Sequence, residues 1–247
     1  MHWNDSAIIL SVKKHGETSA IVRALAHQHG VYAGVVKGAS SKANRGILQP
    51  GNCVNIIWQA RLSEHIGSFK AELLHAHAAH IMQDAQKLIA LTSACAMIEL
   101  SLPERHPYPR LYTLFDAFLH DLITHDAWLP AYVFLELDLL AEAGFGLDLS
   151  CCAATGVTDN LLYVSPKSGR AVSREAGEPY KDKLLRLPAF LLPEGEKSGS
   201  GGPSDIANGL TLTGYFLEHW LLTPHKRKLP AARERLVQTL YKPAETL

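Results

Sequence analysis

The stretch AIILSVKKHG, residues 7–16, is a run of apolar and β-branched residues that ends at a glycine. This composition favours an extended strand followed by a turn. Three stretches of the same kind follow: SAIVRALA (19–26), VYAGVVKGA (31–39) and GNCVNIIWQA (51–60). Four or five short strands separated by glycine-rich turns are typical of a small barrel. We therefore predict a β-barrel within residues 6–72.

A polar segment, GASSKANRGILQPG at residues 38–51, interrupts these strands. Its glycine, serine and proline content predicts a loop on the rim of the barrel. It carries Lys42 and Arg45, and cations on mobile loops are suited to phosphate contacts. An ordinary surface loop has the same composition, so the segment alone does not decide between the two.

Composition sets the class of protein. The chain has 247 residues, of which 47% are hydrophobic and 19% charged, so it can bury a substantial core. No apolar run approaches the ~18 residues of a membrane span, and the start, MHWNDSAIIL, lacks a targeting pattern. We expect a soluble, cytoplasmic protein. Two of its four cysteines are adjacent, which argues against the disulfide framework of a secreted protein.

Charge is distributed unevenly along a chain whose formal net charge is zero. Residues 1–80 hold eight Lys and Arg against four Asp and Glu, whereas residues 81–150 hold three against ten. The C-terminal part is basic again, with Lys226, Arg227 and Lys228 in a row. Basic segments at both ends favour a polyanionic partner there, and clustered solvated charges are the alternative.

The hydrophobic period changes from strand-like to helical near Ile81. Apolar residues at three- to four-residue spacing predict helices in QDAQKLIALTSACAMIEL, RLYTLFDAFLHDLI and PAYVFLELDLLAEAG, and later in IANGLTLTGYFLEHWLL and PAARERLVQTLY. The stretch PEGEKSGSGGPSD, residues 193–205, predicts a mobile linker or loop. We predict an α+β protein with a barrel domain at 1–80 and a helical domain at 81–247, into which a small β-rich subdomain is inserted at 145–192.

Two groups of side chains raise the question of catalysis. His75, His77 and His80 in HAHAAH resemble a metal-binding spacing, but Ala79 stands where a carboxylate ligand is needed. On a helix only His77 and His80 share a face, which favours a solvated helix start. Cys151 and Cys152 lie in no protease signature. The sequence contains no phosphate-binding P-loop and no complete dinucleotide-binding glycine pattern.

The segment AGFGLDLSCCAATG, continued through LLYVSPKSGRAVSREAGEPYKDKLLRLPAFL, resembles the RecO family of DNA recombination and repair proteins, and within it the proteobacterial members. The N-terminal AIILSVKKHGETSAIVRALAHQHGVYAGVVKGA is similar to the family's first segment. The resemblance covers nearly the whole chain. It is most specific from Gly144 to Leu192 and weakest from Ile81 to Leu129.

The resemblance implies an N-terminal OB-fold and a helical domain with an embedded subdomain. It implies a mediator of the RecFOR pathway that makes and breaks no bonds, needs no cofactor, and is associated with the nucleoid. Such proteins bind single- and double-stranded DNA and anneal complementary strands. They bind the C-terminal tail of single-stranded DNA-binding protein, and with RecR they help load the RecA recombinase.

Many members of the family carry a four-cysteine zinc site in the embedded subdomain, and a tetrahedral site needs all four ligands or substitutes. In this chain Cys152 stands at the first position, but Thr155 stands where the second cysteine belongs, and no cysteine follows Cys152. We therefore expect a zinc-knuckle-like turn without the metal ligands, held by packing and hydrogen bonds. We predict no bound zinc.

Candidate DNA-binding residues follow from charge and from the implied barrel. The N-terminal cations are Lys13, Lys14, Arg23, Lys37, Lys42, Arg45 and Arg61. The C-terminal cations are Lys226, Arg227, Lys228, Arg233 and Arg235. Tyr32 and Trp58 are candidates for base stacking or, equally, for the core. Lys167, Arg170 and Arg174 form a conceivable basic rim for the partner's acidic tail, and solvated surface charges are the alternative.

Two other classes of function stay open at this point. A scaffold that binds only proteins would explain the helices and would show no affinity for DNA. A metal-dependent hydrolase would use His75, His77 and His80, and it would need stoichiometric metal.

Overall fold

A computed structural model describes residues 1–62, 64–192 and 202–241. Most of the linker predicted at 193–205 therefore lies outside the described residues. The chain divides into two compact units. The first contains Met1–His125 and Pro230–Thr239, and the second is built on Asp126–Leu229. The domain boundaries predicted at residues 80, 145 and 192 stay predictions.

The first unit begins with a closed five-stranded barrel in the order β1-β2-β3-β5-β4. Its strands are β1 (His2–His15), β2 (Ser19–Ala26), β3 (Gly30–Val36), β4 (Cys53–Gln59) and β5 (Ser68–His75). All neighbours are antiparallel except β3 and β5, which are parallel and share a single pair, Val35 and Ser68. This architecture confirms the predicted α+β class with an N-terminal OB-type barrel.

Strand β1 belongs to both halves of the barrel because it is long and bends at a bulge between Ile9 and Ser11. Its first half pairs with β4 and its second half with β2. Asn52 fastens this point: its carbonyl accepts from the Ile9 N–H at 3.0 Å. Its buried side-chain amide donates to the carbonyls of Gly46 and Ile47 and accepts from the Ala78 N–H.

Apolar side chains at alternate positions fill the barrel. The buried members of this core are Ala7, Ile9, Val22, Ala24, Ala26, Val36, Leu48, Val54, Ile56, Trp58 and Phe69. Alternation is expected for strands with one face on a core. Leu48 follows a short helix, so this helix delivers an apolar residue to one end of the barrel.

That helix is α1 (Lys42–Ile47), and it corrects the prediction that residues 38–51 are only a loop. Ser41 caps it, since its hydroxyl accepts from the Asn44 N–H. Glycine and serine content pointed away from a helix, but the cap and the burial of Leu48 outweigh it. The remaining helices of the first unit are α2 (His77–Ile81), α3 (Ala85–Ser101), α4 (Pro109–Thr124) and α8 (Ala231–Tyr241).

The second unit is a helical body with a small sheet. Its helices are α5 (Leu129–Glu142), α6 (Arg174–Gly177) and α7 (Pro203–Phe216), and α7 continues into a π-helical turn at Leu217–Leu222. The sheet has the order β7-β6-β8, with β6 (Leu161–Val164), β7 (Ala171–Ser173) and β8 (Leu185–Arg186). In α5 and α7, Glu136 and Thr213 are buried and hydrogen-bonded to each other at 2.5 Å.

A helix that crosses a lipid bilayer must be both long and apolar. No helix in the described part of the chain meets both requirements.

Candidate nucleic-acid interface

One end of the barrel is rich in exposed cations. Lys14 pairs with Ala20 in the β1–β2 ladder, and Ala20 pairs with Val36 at the end of β3, so the register brings Lys14 and Lys37 to the same end. Helix α1 lies at this end too, because the Ser40 N–H donates to the Thr18 carbonyl. We call the set the basic end of the barrel. Its members are Lys13, Lys14, Lys37, Lys42 and Arg45, all of them exposed.

Acidic neighbours reduce the charge of two of the predicted cations. Lys13 Nζ lies 3.6 Å from Glu99 Oε1, but its side chain is 71% exposed, and such surface pairs are weak. Arg23 is held more firmly, with Nη2 at 2.8 Å from Glu104 and Nε at 3.3 Å from Glu99. Arg23 is therefore neutralised by two carboxylates, and the prediction of a phosphate contact there gains no support from the structure.

A second region of the barrel is aromatic. Trp3, His29, Tyr32, Trp58 and Phe69 contact one another there, and we call these five rings the aromatic end. The exposed Arg61 follows β4 at this end. The register does not separate this segment from Lys37, because Gln59 pairs with Ser68 and Ser68 pairs with Val35 near the end of β3.

The structure favours the core, one of the two alternatives predicted for Trp58. Its side chain belongs to the barrel core with 2% exposure, and its indole N–H donates to the Ile66 carbonyl at 3.0 Å. A buried indole offers no face to a base. Tyr32 is half-buried, its ring packs at steep angles against Trp3 and Trp58, and the Arg105 guanidinium lies 5.5 Å from its centroid. A contact of Tyr32 with DNA stays a prediction.

Sequence reasoning missed the outer members of this end. Trp3 and His29 stack in parallel, with ring centroids 4.0 Å apart and an interplanar angle of 7°. Asp5 positions His29, since its Oδ2 lies 2.9 Å from Nδ1 of the ring. Both aromatic residues lie outside the apolar runs that marked the strands. The sequence does contain an isolated Trp3 beside polar residues and histidines before Gly30. These residues follow no periodic spacing, so the sequence alone does not show that they meet.

The C-terminal cations fall into two groups. Lys226, Arg227 and Lys228 are exposed and belong to the second unit, after α7 and its π-helical turn. Arg233 and Arg235 belong to the first unit on α8. Arg233 is buried with 4% exposure, so a phosphate contact there is not supported. Arg235 is exposed, and its Nε–H donates to the Ala231 carbonyl one turn earlier.

The three cations predicted as a rim differ in exposure and partners. Lys167 and Arg174 are exposed near the small sheet of the second unit. Arg170 is half-buried, and its Nε donates to Asp148 Oδ2 at 3.1 Å. Because this ion pair already satisfies part of the guanidinium, Lys167 and Arg174 are the better candidates for a partner's carboxylates.

The turn at Cys151 and Cys152 does not fit a zinc ion. Cys152 Sγ accepts from the Ser173 N–H at 3.2 Å. Burial raises the pKa of Cys152, but hydrogen bonds from the hydroxyls of Ser173 and Thr155 and from the backbone of Ser173 and Ala154 outweigh it and lower that pKa to about 6. The sulfur is thus surrounded by hydrogen-bond donors where a metal site would need further thiolates. The prediction that no zinc is bound stays a prediction.

The histidines of HAHAAH also lack the arrangement of a metal centre. His75 ends β5, His77 begins α2, and their rings lie 5.7 Å apart. Burial and the neighbouring histidines lower the pKa of His77 against the opposing effect of Asp116. Within residues 1–62, 64–192 and 202–241, no three His, Cys, Asp or Glu side chains are placed to hold a metal ion.

Comparison with known proteins agrees with this architecture. Residues 1–77 match the family profile described as "Recombination protein O N terminal", and residues 82–229 match "Recombination protein O C terminal". Three proteins named DNA repair protein RecO are similar over almost the whole chain. The one from Rhodospirillum centenum is 48% identical over 250 residues, which cover 100% of this chain and 97% of the relative.

The relative from Rhodospirillum rubrum is 45% identical over 245 residues, which cover 97% of this chain and 96% of the relative. The relative from Phenylobacterium zucineum is 46% identical over 242 residues, with 97% and 98% covered. These matches confirm the resemblance noted in the sequence. They include both the barrel and the helical body, and the chain therefore belongs to the RecO family.

Proposed function

We propose that this chain is a recombination mediator in DNA repair. It binds single- and double-stranded DNA, anneals complementary strands, and with RecR helps load RecA onto DNA coated by single-stranded DNA-binding protein. Family membership supports the repair and recombination role. The observation that carries the DNA-binding part is the basic end of the barrel, where five exposed cations lie within an OB-type fold.

Annealing needs two strands to be held while pairing supplies the sequence specificity. In the proposal, the basic end of the barrel neutralises phosphates of one strand, and Lys226, Arg227 and Lys228 neutralise phosphates of the other. Each contact displaces condensed counterions, so the affinity depends on salt. The protein contributes charge and shape and no bond-making step of its own.

The acidic tail of single-stranded DNA-binding protein is the proposed protein partner of the second unit. Lys167 and Arg174 are exposed there and suited to carboxylates. Apolar side chains of such a tail need a groove between helices. The proposal also includes a contact with RecR, and we assign no surface of the chain to it.

The test is the anisotropy of a labelled oligonucleotide, single-stranded or duplex, titrated with protein at several salt concentrations. For a single strand, about 4 to 6 neutralised phosphates predict a log–log slope of roughly −3 to −4. The double variant Lys42→Gln/Arg45→Gln should make this slope shallower by about 1.4, since each lost contact contributes about 0.7.

The matched control is Lys181→Gln/Lys183→Gln, which removes the same charge from exposed positions on the second unit. This control should have the same log–log slope as wild type. Equal slopes for both double variants would show that the basic end of the barrel does not contact DNA. If wild type does not bind DNA even at low salt, the proposed DNA-binding function is wrong.

A further inference from the structure

Three rings at the aromatic end form a stacked series that begins at a buried residue. Trp58 is buried, and Trp3 lies nearly parallel to it with centroids 5.8 Å apart and an angle of 19°. Trp3 in turn stacks on His29 at 4.0 Å. The His29 side chain is 30% exposed, and it stacks at the end of the series that lies away from the buried Trp58.

The orientation of His29 is fixed before any ligand arrives. Its Nδ1 contacts Asp5 Oδ2, and the same carboxylate oxygen accepts from the Gln28 N–H at 2.7 Å. Asp5 itself is nearly buried, with 6% side-chain exposure. A ring held in this way loses little rotamer freedom on binding, and preorganised groups bind more tightly for that reason.

The surroundings of His29 suit a nucleic-acid strand. Arg105 lies over the Tyr32 ring, and its Nη2 donates to the carbonyls of Glu64 and His65, which ties the segment after β4 to this end. Arg61 precedes that contact and is exposed. A cation therefore lies over Tyr32, whose ring in turn contacts His29, and rings with a nearby cation match the two parts of a nucleotide, the base and its phosphate.

We infer that His29 is the platform on which an unpaired base of single-stranded DNA stacks, so that the base extends the series Trp58, Trp3, His29. This inference rests on the proposed DNA-binding function and adds a preference for single-stranded over duplex DNA. Unpaired bases expose their faces, whereas bases inside a duplex are covered by their neighbours. His29 therefore contributes to binding of single strands and not to binding of duplex.

The experiment compares His29→Ala and His29→Phe in the full chain, with single-stranded and duplex oligonucleotides of equal length. Loss of one stacked base should weaken single-strand binding about fivefold to hundredfold. Duplex binding should stay at the wild-type value. His29→Phe keeps a ring and should retain most of the single-strand affinity. His120→Ala, which removes an exposed histidine on α4, is the matched control and should resemble wild type.

Each outcome decides between the inference and the function it rests on. If wild type binds neither oligonucleotide, the proposed function fails. If wild type binds single strands and His29→Ala binds them equally well, or loses single-strand and duplex affinity in equal measure, the function stands and the inference is wrong. Equal weakening by Ala and Phe would assign the effect to the contact with Asp5 and overturn stacking.

A second measurement uses the unaltered protein and so does not depend on folding of the variants. An oligonucleotide with 5-iodouracil forms photo-crosslinks to aromatic rings that stack on the base. After trypsin digestion we expect the crosslink in the peptide Ala24–Lys37, and fragmentation of this peptide should locate it at His29 and not at Tyr32. Crosslinks confined to other peptides would overturn the assignment.

Discussion

The barrel of the first unit and the small sheet of the second are stabilised in different ways. The barrel closes a ladder of five strands around a continuous apolar core. The small sheet has strands of four, three and two residues, and its turns are joined by hydrogen bonds to Cys152 and by the Asp148–Arg170 ion pair. Small structures bury less surface per residue. The barrel should therefore be sensitive to packing, and the small sheet to the loss of polar contacts.

The largest effect on the barrel is expected from Gly30→Ala. Gly30 begins β3 with φ +72°, and a Cβ there would lie 1.7 Å from the backbone oxygen of His106. Backbone on both sides leaves no flexible atom to move. We expect the free energy of unfolding to fall by more than about 4 kcal/mol, as in the most severe steric replacements. Urea denaturation followed by circular dichroism measures it.

Gly16→Ala is the matched control. Gly16 has a similar φ of +70°, but nothing lies within 4 Å of an added Cβ. Only the strain of the left-handed conformation remains, and this is worth about 1–2 kcal/mol. Equal losses for the two variants would show that backbone strain, and not the contact with His106, makes Gly30 necessary.

Asn52→Leu tests whether a polar contact can also decide the stability of the barrel. The leucine removes three hydrogen bonds and leaves the Ala78 N–H without its acceptor. Each buried group without a partner costs about 1–3 kcal/mol, so we expect a loss of about 3–4 kcal/mol in urea denaturation. Asn4→Ala, at an exposed position of β1, should change stability by less than about 0.5 kcal/mol. A small effect of Asn52→Leu would show that packing alone maintains the bend in β1.

The fold could be predicted further from the sequence than the site. Apolar runs such as AIILSVKKHG predict strands because the residues that face the core of the barrel must be apolar. The run in β5 is weaker, since Leu73 and Leu74 at its end are exposed, and this strand carried no separate signal. The distribution of charge along the sequence predicted the cations of the basic end. No local pattern shows that Arg23 pairs with the carboxylates of Glu99 and Glu104.

The aromatic end shows why site residues are harder to predict than elements. Trp58 was a candidate for base stacking or, equally, for the core, and the β-register places it in the core. Trp3 and His29 become neighbours through pairing between strands, and Asp5 positions the ring from another strand. Such contacts depend on register and twist. A single sequence gives the residue types, and the contact between them appears only with the closed barrel.

Cys152→Ala gives the smallest of these effects and acts only on the small sheet. It removes the acceptor for the Ser173 N–H, and hydrogen bonds to charged groups are worth about 1.5–3 kcal/mol. Hydrogen exchange of the amides in residues 161–173 should become faster by the corresponding factor, while exchange in the barrel stays unchanged. Cys151→Ala is the matched control. The sulfur of Cys151 makes a long contact of 3.8 Å with Arg170 Nη2. The Cys151→Ala variant should therefore alter the exchange rates much less.

The effect of Cys152 should also depend on pH in a defined direction. Hydrogen-bond donors lower its pKa in the folded sheet to about 6, whereas the ordinary value is 9.0. An acid whose pKa is depressed by folding stabilises the fold fully above its unfolded pKa, and this contribution is lost as the pH falls through the folded pKa. Protection of residues 161–173 in wild type, relative to Cys152→Ala at the same pH, should therefore rise from pH 6 toward pH 9. Protection that does not change over this range would mean that Cys152 is a neutral thiol, and that the sheet depends on packing as the barrel does.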